Sequence, residues 1–319
     1  MSLCAIVLST YNGEKYLPEQ LDSLVNQSRR PDRIYIRDDC SNDGTVKLIR
    51  EFAETHPEIR WDVHTNEQNK GWQTNFRDMI TDAEEEILFL CDQDDIWDER
   101  KIEIMARIIE NHPEMDLLAC GYEPVYMDNE STISSRYSRG IDGTGEIRQI
   151  PFDERFMYVL RPGCTYGIRK RFVQEIQPYW IEEKAHDAIL WRYAALKGTG
   201  FMLNQPLIRW RRYRNSSSSK YNEIKDRTSA AEIRYRYIME SLTSNTRFLQ
   251  RMAEYCEEQK VEKEKNRIAQ ETLQHTKRYC EAIREGAAAK ILRIGLRDRR
   301  FFLSWKTPVA DALMVIMKN

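Results

Sequence analysis

The chain of 319 residues lacks most of the features that would announce a partner at once. Lys and Arg total 49 against 51 Asp and Glu, a formal net charge of −2, so no global basic field recruits nucleic acid and any cationic site must be local. No apolar run approaches the ~20 residues of a membrane span. Met1-Ser2 leads directly into Leu3-Cys4-Ala5-Ile6-Val7-Leu8, so no secretory leader is expected. The seven cysteines, Cys4, Cys40, Cys91, Cys120, Cys164, Cys256 and Cys280, are odd in number and contain no CxxC pair. That usage points to reduced, buried thiols in a cytoplasmic protein, not to disulfides or a zinc site. No GxGxxG follows the first apolar run, which argues against a NAD-dependent dehydrogenase, and no repeat of fixed period is visible.

What is present is 41% hydrophobic residues in a chain long enough to bury a full core and to divide into one large domain plus an appendage. Short apolar runs over 4–8, 33–37, 61–64, 87–91 and 116–121 alternate with amphipathic stretches over 14–27, 45–55, 72–82 and 99–111. Strand and helix in alternation predict right-handed crossovers, a mostly parallel sheet and ligands beyond the carboxyl ends of the strands. Residues 9–12, 38–43 and 92–95 each occupy such a place. From 123 to 154 the pattern weakens into polar sequence bearing Gly140, Gly143 and Gly145, read as loops and hairpin edges. The basic aromatic segment 209–214 and the serine run 216–219 read as a linker or a loop that closes over ligand. Beyond Tyr221 the chain is helical and charged, with Leu242, Phe248, Leu249, Met252 and Tyr255 at helical spacing, which favours a bundle or a homo-oligomer surface. The tail 287–318 mixes large apolar residues with Arg and Lys and suits a partner or a membrane surface.

The most telling stretch is Asp92-Gln93-Asp94-Asp95 behind Ile87-Leu88-Phe89-Leu90-Cys91. Alternation along an extended segment puts Asp92 and Asp94 on one face, where two hard oxygen ligands suit Mg²⁺ or Mn²⁺ and leave places for a diphosphate. A solvated acidic loop is the plain alternative. Asp95 reads as a cap for the helix entered near Asp98, and Asp43 as a cap for the helix from Thr45.

Together with the segments 6–12, 37–45, 69–75 and 92–97, in that order, the chain resembles the inverting nucleotide-sugar glycosyltransferases of family 2, which have the GT-A fold; the resemblance covers about 3–213 and is nearest to bacterial rhamnosyl- and hexosyltransferases. It implies an α/β catalytic domain over 1–215, with a nucleotide-binding half at 1–122 and an acceptor half at 123–215, followed by a helical region at 221–319. It also implies Thr10, Tyr11, Asp39, Asn69, Lys70 and Asp92 as nucleotide contacts. Tyr11 can stack on a pyrimidine and Asp39 can accept its N3–H. Asp94 is then the direct metal ligand, with Asp92 a ribose or second metal contact, and Asp187 the general base that deprotonates the acceptor. Gly163 and Cys164 fall at the acceptor-side turn, and Trp191 at a position for stacking on sugar. Arg211 aligns with a diphosphate-binding arginine, while Tyr213 stands where relatives carry a histidine. The plain reading of Asp187 is a helix N-cap, of Tyr11 a loop aromatic, and of Trp191 a core residue.

The implied activity is metal-dependent transfer of a hexose or deoxyhexose from a UDP-sugar or dTDP-rhamnose to a hydroxyl of a glycan, lipid-linked saccharide or glycoprotein. A sugar-phosphate nucleotidyltransferase would need a glycine-rich triphosphate loop, and 9–13 supplies one glycine with Lys15 behind it. A non-catalytic carbohydrate-binding module would not need both Asp94 and Asp187. The expected setting is cytoplasmic, with the tail at the inner face of the membrane.

Overall fold

Most of the apolar runs become strands because their β-branched and aliphatic side chains can be buried on both faces of a helix-covered sheet, whereas the run at 61–64, half buried and exposed in alternation, forms an edge strand. In the computed structural model, which describes residues 1–129, 143–213 and 227–318 (side chains of 227–230 excepted), these strands are β1 (Cys4–Thr10), β2 (Arg33–Asp38), β3 (Arg60–Thr65) and β4 (Ile87–Asp92). They are followed by β5 (Ile96–Trp97), β6 (Leu117–Tyr126), β7 (Ile147–Gln149), β8 (Tyr166–Arg169) and β9 (Gly200–Arg212). The sheet order is β3-β2-β1-β4-β8-β6-β9-β5, with β7 also on β9. β3, β2, β1 and β4 run parallel, whereas β8 enters antiparallel to β4, so the far half of the sheet is mixed. Thr10, Asp38 and Asp92 therefore end neighbouring strands at one edge, which is where ligand-bearing loops of an open α/β sheet gather.

The helices are α1 (Leu17–Val25), α2 (Thr45–Thr55), α3 (Trp72–Asp82), α4 (Lys101–Asn111), α5 (Lys170–Ile176) and α6 (His186–Lys197), then α7 (Arg227–Glu258), α8 (Lys263–Arg284), α9 (Ala288–Arg297) and α10 (Lys306–Lys318). The spans expected for α2 and α3 coincide with those observed, while α1 begins three residues later than expected, with proline in its first turn. The main core gathers Ile6, Leu8, Leu21, Ile34, Ile36, Phe89, Met105 and Cys120 between sheet and helices.

One expectation is overturned here. Residues 209–212 are not a linker but the end of β9, paired with β6 through Glu123–Arg209 to Tyr126–Arg212 and with β5 through Ile96–Arg209. The ladder satisfies the backbone, and Trp210, Arg211 and Arg212 are all buried. Gly140 and the run 216–219 lie outside the described residues.

The chain divides into two compact units. The first comprises Met1–Ile150, Val159–Pro178 and Ala185–Arg214; the second comprises Pro151–Tyr158, Tyr179–Lys184 and Asn215–Asn319. The second is built on α7 to α10, with Ala282, Ile283, Ile291, Ala312, Met314 and Val315 in its core. Phe248, Leu249, Met252 and Tyr255, the helically spaced residues of α7, are buried.

Candidate active site

The loops after β1 and β2 are laced to each other by short polar side chains. Asn12 N–H donates to Ser41 Oγ, Asn42 N–H to Asn12 Oδ1, and Gly13 N–H to Thr45 Oγ1, each at 2.8–2.9 Å. Asp43 accepts from Thr45 N–H and Oγ1–H, so it does tie down the start of α2 as expected. Burial opposes ionisation of Asp43, but these hydrogen bonds prevail and hold its carboxyl below the usual range.

Asp39 is buried and clamps the segment after β3. Its carboxylate accepts from Asn66 Nδ2 at 2.9 Å, Lys70 N–H at 2.7 Å and Gly71 N–H at 2.8 Å, and its carbonyl accepts from Asn69 Nδ2. Asn66 in turn donates to Asn75 Oδ1, and Asn75 to Ser9 Oγ. Asp39, Asn69 and Lys70 thus form one polar network, with the carbonyl of Thr10 accepting from Asp39 N–H. Tyr11 is half exposed at the rim.

Gln93 is a residue the sequence reading passed over. Its Oε1 accepts from Tyr11 N–H at 2.8 Å and its Nε2 donates to Tyr11 O at 3.0 Å, which locks the β1 loop to the acidic loop. A Cβ at Gly13 would stand 2.4 Å from Gln93 Oε1, so only glycine leaves room for this clamp.

Below the clamp lies the acidic cluster. Ligating atoms of Asp92, Asp95 and Cys164 fall within 4.8 Å of one another. Asp95 is fully buried; one oxygen accepts from Arg211 N–H and the other has no hydrogen-bond partner. It is therefore not the helix cap expected from sequence; ahead of α4 the Asp98 carboxylate accepts from Arg100 N–H, and the N-cap residue itself, Arg100, makes no capping hydrogen bond with its side chain. Burial, then the charges of Asp94 and Asp187, pushes Asp92 up to about 7. Burial followed by Asp94 and Asp92 drives Asp95 well above the usual carboxylate range. Asp94, expected as the direct metal ligand, lies outside this tight group and accepts Tyr213 Oη–H at 2.6 Å. Burial raises its carboxyl and the Tyr213 hydrogen bond opposes the rise.

An acidic pocket whose carboxyls remain raised despite Arg211, Arg212 and Tyr213, and which holds an orphaned carboxylate oxygen, fits a hard divalent cation that Asp92, Asp95 and Asp94 would hold. Cys164 suits it less, because burial keeps its thiol protonated. A second group unforeseen from sequence supports the cluster from behind. Lys101 is fully buried, donates to Cys164 O at 3.1 Å and stands 3.2 Å from the centre of the Trp97 ring. Its spacing with Met105 and Ile109 along the apolar face of α4 is the signal that it points inward.

Asp187 opens α6, accepts its neighbour Ala188 N–H and is close enough to Asp92 for its charge to be felt there. Gly163 packs directly on this corner: a Cβ there would stand 3.0 Å from both Asp187 Cβ and His186 Nε2. The turn with Gly163 and Cys164 therefore joins the acidic cluster to Asp187. His186 stacks on Phe76 at 4.1 Å, and burial lowers its pKa to about 4, so it is neutral.

Two expected site residues are placed otherwise. Trp191 is 1% exposed and stacks on Tyr166, so it is core and offers no face to a sugar. Arg211 is buried too, and its guanidinium is committed to Glu19 and to the Tyr16 ring. The charges of Arg212 and Arg211 oppose the rise of Asp94, and that of Arg212 opposes the rise of Asp92.

The profile of glycosyl transferase family 2 matches residues 5–177 of the chain. The dTDP-rhamnosyl transferase RfbG of Shigella flexneri is 28% identical over 224 residues, 66% of this chain and 72% of that protein. The crystal structure of S. aureus TarS 1–349 with UDP superposes with a TM-score of 0.58 at 18% identity, over 100% of this chain and 90% of that one. The mannosyltransferase PcManGT of Pyrobaculum calidifontis, in complex with GDP-Man and Mn²⁺, does so with a TM-score of 0.52 at 14% identity, over 99% of this chain and 86% of that one.

Proposed function

Since the chain belongs to glycosyl transferase family 2 and is a glycosyltransferase with the GT-A fold, we propose that it moves a hexose or deoxyhexose, with inversion and with a divalent metal, from a UDP- or dTDP-linked donor to the hydroxyl of a glycan, lipid-linked saccharide or glycoprotein. The observation that carries this reading is the meeting of two acidic groups from distant parts of the chain. Asp92 at the tip of β4 lies with Cys164, and Asp187 at the start of α6 lies against the adjoining Gly163, so one turn brings a donor end and an acceptor end together.

The division of labour follows from placement. Tyr11 is exposed to stack on a pyrimidine, and Asp39, while holding the 66–71 segment, retains acceptor capacity for a base N–H. Asn69 and Lys70 keep that segment beside Asp39. Asp92, Asp94 and Asp95 would hold Mn²⁺ or Mg²⁺, which when bound supplies positive charge to a diphosphate leaving group. Asp187 accepts the acceptor hydroxyl proton, making the oxygen nucleophilic as the donor's glycosidic bond breaks. His186, neutral and wedged between aromatic rings, fixes the direction of α6 without competing for that proton.

Isothermal titration with UDP and dTDP, with and without Mn²⁺, tests the reading, and metal-dependent binding is expected. Absence of any metal-dependent nucleotide binding would remove it, while a panel of nucleotide sugars screened for hydrolysis identifies the donor.

A further inference from the structure

The last two helices present an apolar face to solvent that the transferase chemistry does not use. On α9, Leu292 and Leu296 lie one turn apart and are 40% and 84% exposed; on α10, Leu313, Ile316 and Met317 are all at least half exposed, and Trp305 just ahead of α10 is 61% exposed. The opposite sides of the same helices, Ile291 and Ile294 on α9 and Ala312, Met314 and Val315 on α10, are buried in the core of the helical unit. Both helices therefore carry apolar side chains on their outward side as well as on their buried side, and they pack against each other.

The segment's own exposed charges have one sign, although two of its cations are already paired with neighbouring elements: Lys290 with Glu281 and Glu285, and Arg300 with Glu154 and Glu271. Residues 287–318 carry seven Lys and Arg against two acids, Asp298 and Asp311. Both acids are buried and paired: Asp298 with His275, Arg278 and Arg297, and Asp311 with Arg234 and Tyr279. Every exposed charge of the segment is thus positive, and Arg293, Arg299 and Lys306 are among the exposed residues. No helix among the described residues is long and apolar enough to cross a membrane.

We propose that α9, Trp305 and α10 form a docking surface for an anionic lipid bilayer, lying in its interface rather than spanning it. Leu, Ile and Met side chains of the stripe enter the acyl boundary, Trp305 takes the headgroup level that suits an indole, and the arginines and lysines meet lipid phosphates. A second copy of the chain fits less well, because a two-fold pairing of this face would bring Arg293, Arg299 and Lys306 toward their own counterparts, while the acids beside the segment, Glu154, Glu271, Glu281 and Glu285, are already paired with Arg300 and Lys290. The inference does not depend on the choice of sugar donor or on the assignment of Asp187.

The test is flotation of the full chain with vesicles of phosphatidylcholine alone or mixed with phosphatidylglycerol, with light scattering of the lipid-free protein. Binding is expected only to the mixed vesicles and should weaken with added salt. Each of the changes Arg293→Gln and Arg299→Gln should lower partitioning about fivefold, and Leu296→Glu with Leu313→Glu should abolish it. Those side chains are exposed, so the variants should retain the helical circular dichroism and melting temperature of the parent. Equal binding to both vesicle types, no binding to either, or a lipid-free dimer that Leu296→Glu with Leu313→Glu converts to monomer would overturn the proposal, the last outcome assigning the face to a second copy.

Discussion

Replacing Asp92 by Asn is expected to strengthen the metal-free fold while removing its function. The carboxyl of Asp92 is pushed from its ordinary 3.8 to about 7, by burial first and then by the charges of Asp94 and Asp187. Its folded value lies above its unfolded value, so the folded chain binds the extra proton between about pH 4 and 7. The stability associated with this group is therefore complete at low pH and is lost as pH rises through about 7. At about 1.4 kcal/mol per pH unit the full displacement corresponds to about 4 kcal/mol. Asp92 keeps some solvent contact and shares its repulsion with Asp94 and Asp95, so about 2 kcal/mol is the expected share of one side chain. Urea unfolding in chelator should thus find Asp92→Asn more stable than the parent by about 2 kcal/mol near pH 8, by less near pH 5, and no more stable below about pH 4, where the carboxyl is protonated in the folded and the unfolded chain alike. Mn²⁺ should stabilise the parent and not the variant, and metal-dependent nucleotide binding should be lost with the substitution. A variant less stable than the parent near pH 8 would refute the argument, because it would mean that Asp92 is already compensated in the metal-free protein.

Asp187→Asn should leave donor affinity within about twofold and reduce transfer by roughly 10²–10⁴, read by titration and by a coupled nucleotide-release assay. Tyr213→Phe removes the hydroxyl that opposes the upward shift of Asp94. A hydrogen bond to a charged group contributes about 1.5–3 kcal/mol, so the midpoint of the pH dependence of Mn²⁺-assisted nucleotide binding should move up by about one pH unit; an unmoved midpoint counts against the coupling. Gly13→Ala forces Gln93 off Tyr11, since the new Cβ would stand 2.4 Å from Gln93 Oε1. Nucleotide affinity should fall about tenfold with a change in unfolding free energy of about 1 kcal/mol, and unchanged affinity would show that the clamp does not position Tyr11.

Much of the site could be read in advance because its residues follow strands whose apolar runs are unmistakable. Asp39, Asp92 and Asp94 sit just beyond or at the ends of β2 and β4, and the parallel register of β1, β2 and β4 sets Thr10 beside Asp38 and Ser9 beside Asp92. Helix starts were less accurate, as at α1 and α4, where polar first turns carry no periodic signal. The misread segment was 209–212, where alternating basic and aromatic residues look solvated in sequence. Their charges are tolerated there because Arg211 pairs with Glu19 and both Arg211 and Arg212 act on the Asp94 carboxyl, groups that lie on other elements. Trp191 was misread for the converse reason: an aromatic near an acceptor position cannot be told from a core aromatic until its neighbour Tyr166 is known.

Local order along the chain determined the alternation of strand and helix, the acidic loop behind an apolar strand and the placing of a carboxylate at the start of α6, since hydrophobic period and short polar motifs are properties of neighbouring residues. Tertiary structure alone decided which of those carboxylates share a pocket, that Gln93 closes on Tyr11, that Lys101 lies beneath Cys164 and that Arg211 is spent on Glu19. The last three are contacts between residues more than sixty positions apart, and burial, which sets the charge states of the pocket, exists only once the sheet and its helices have closed around it.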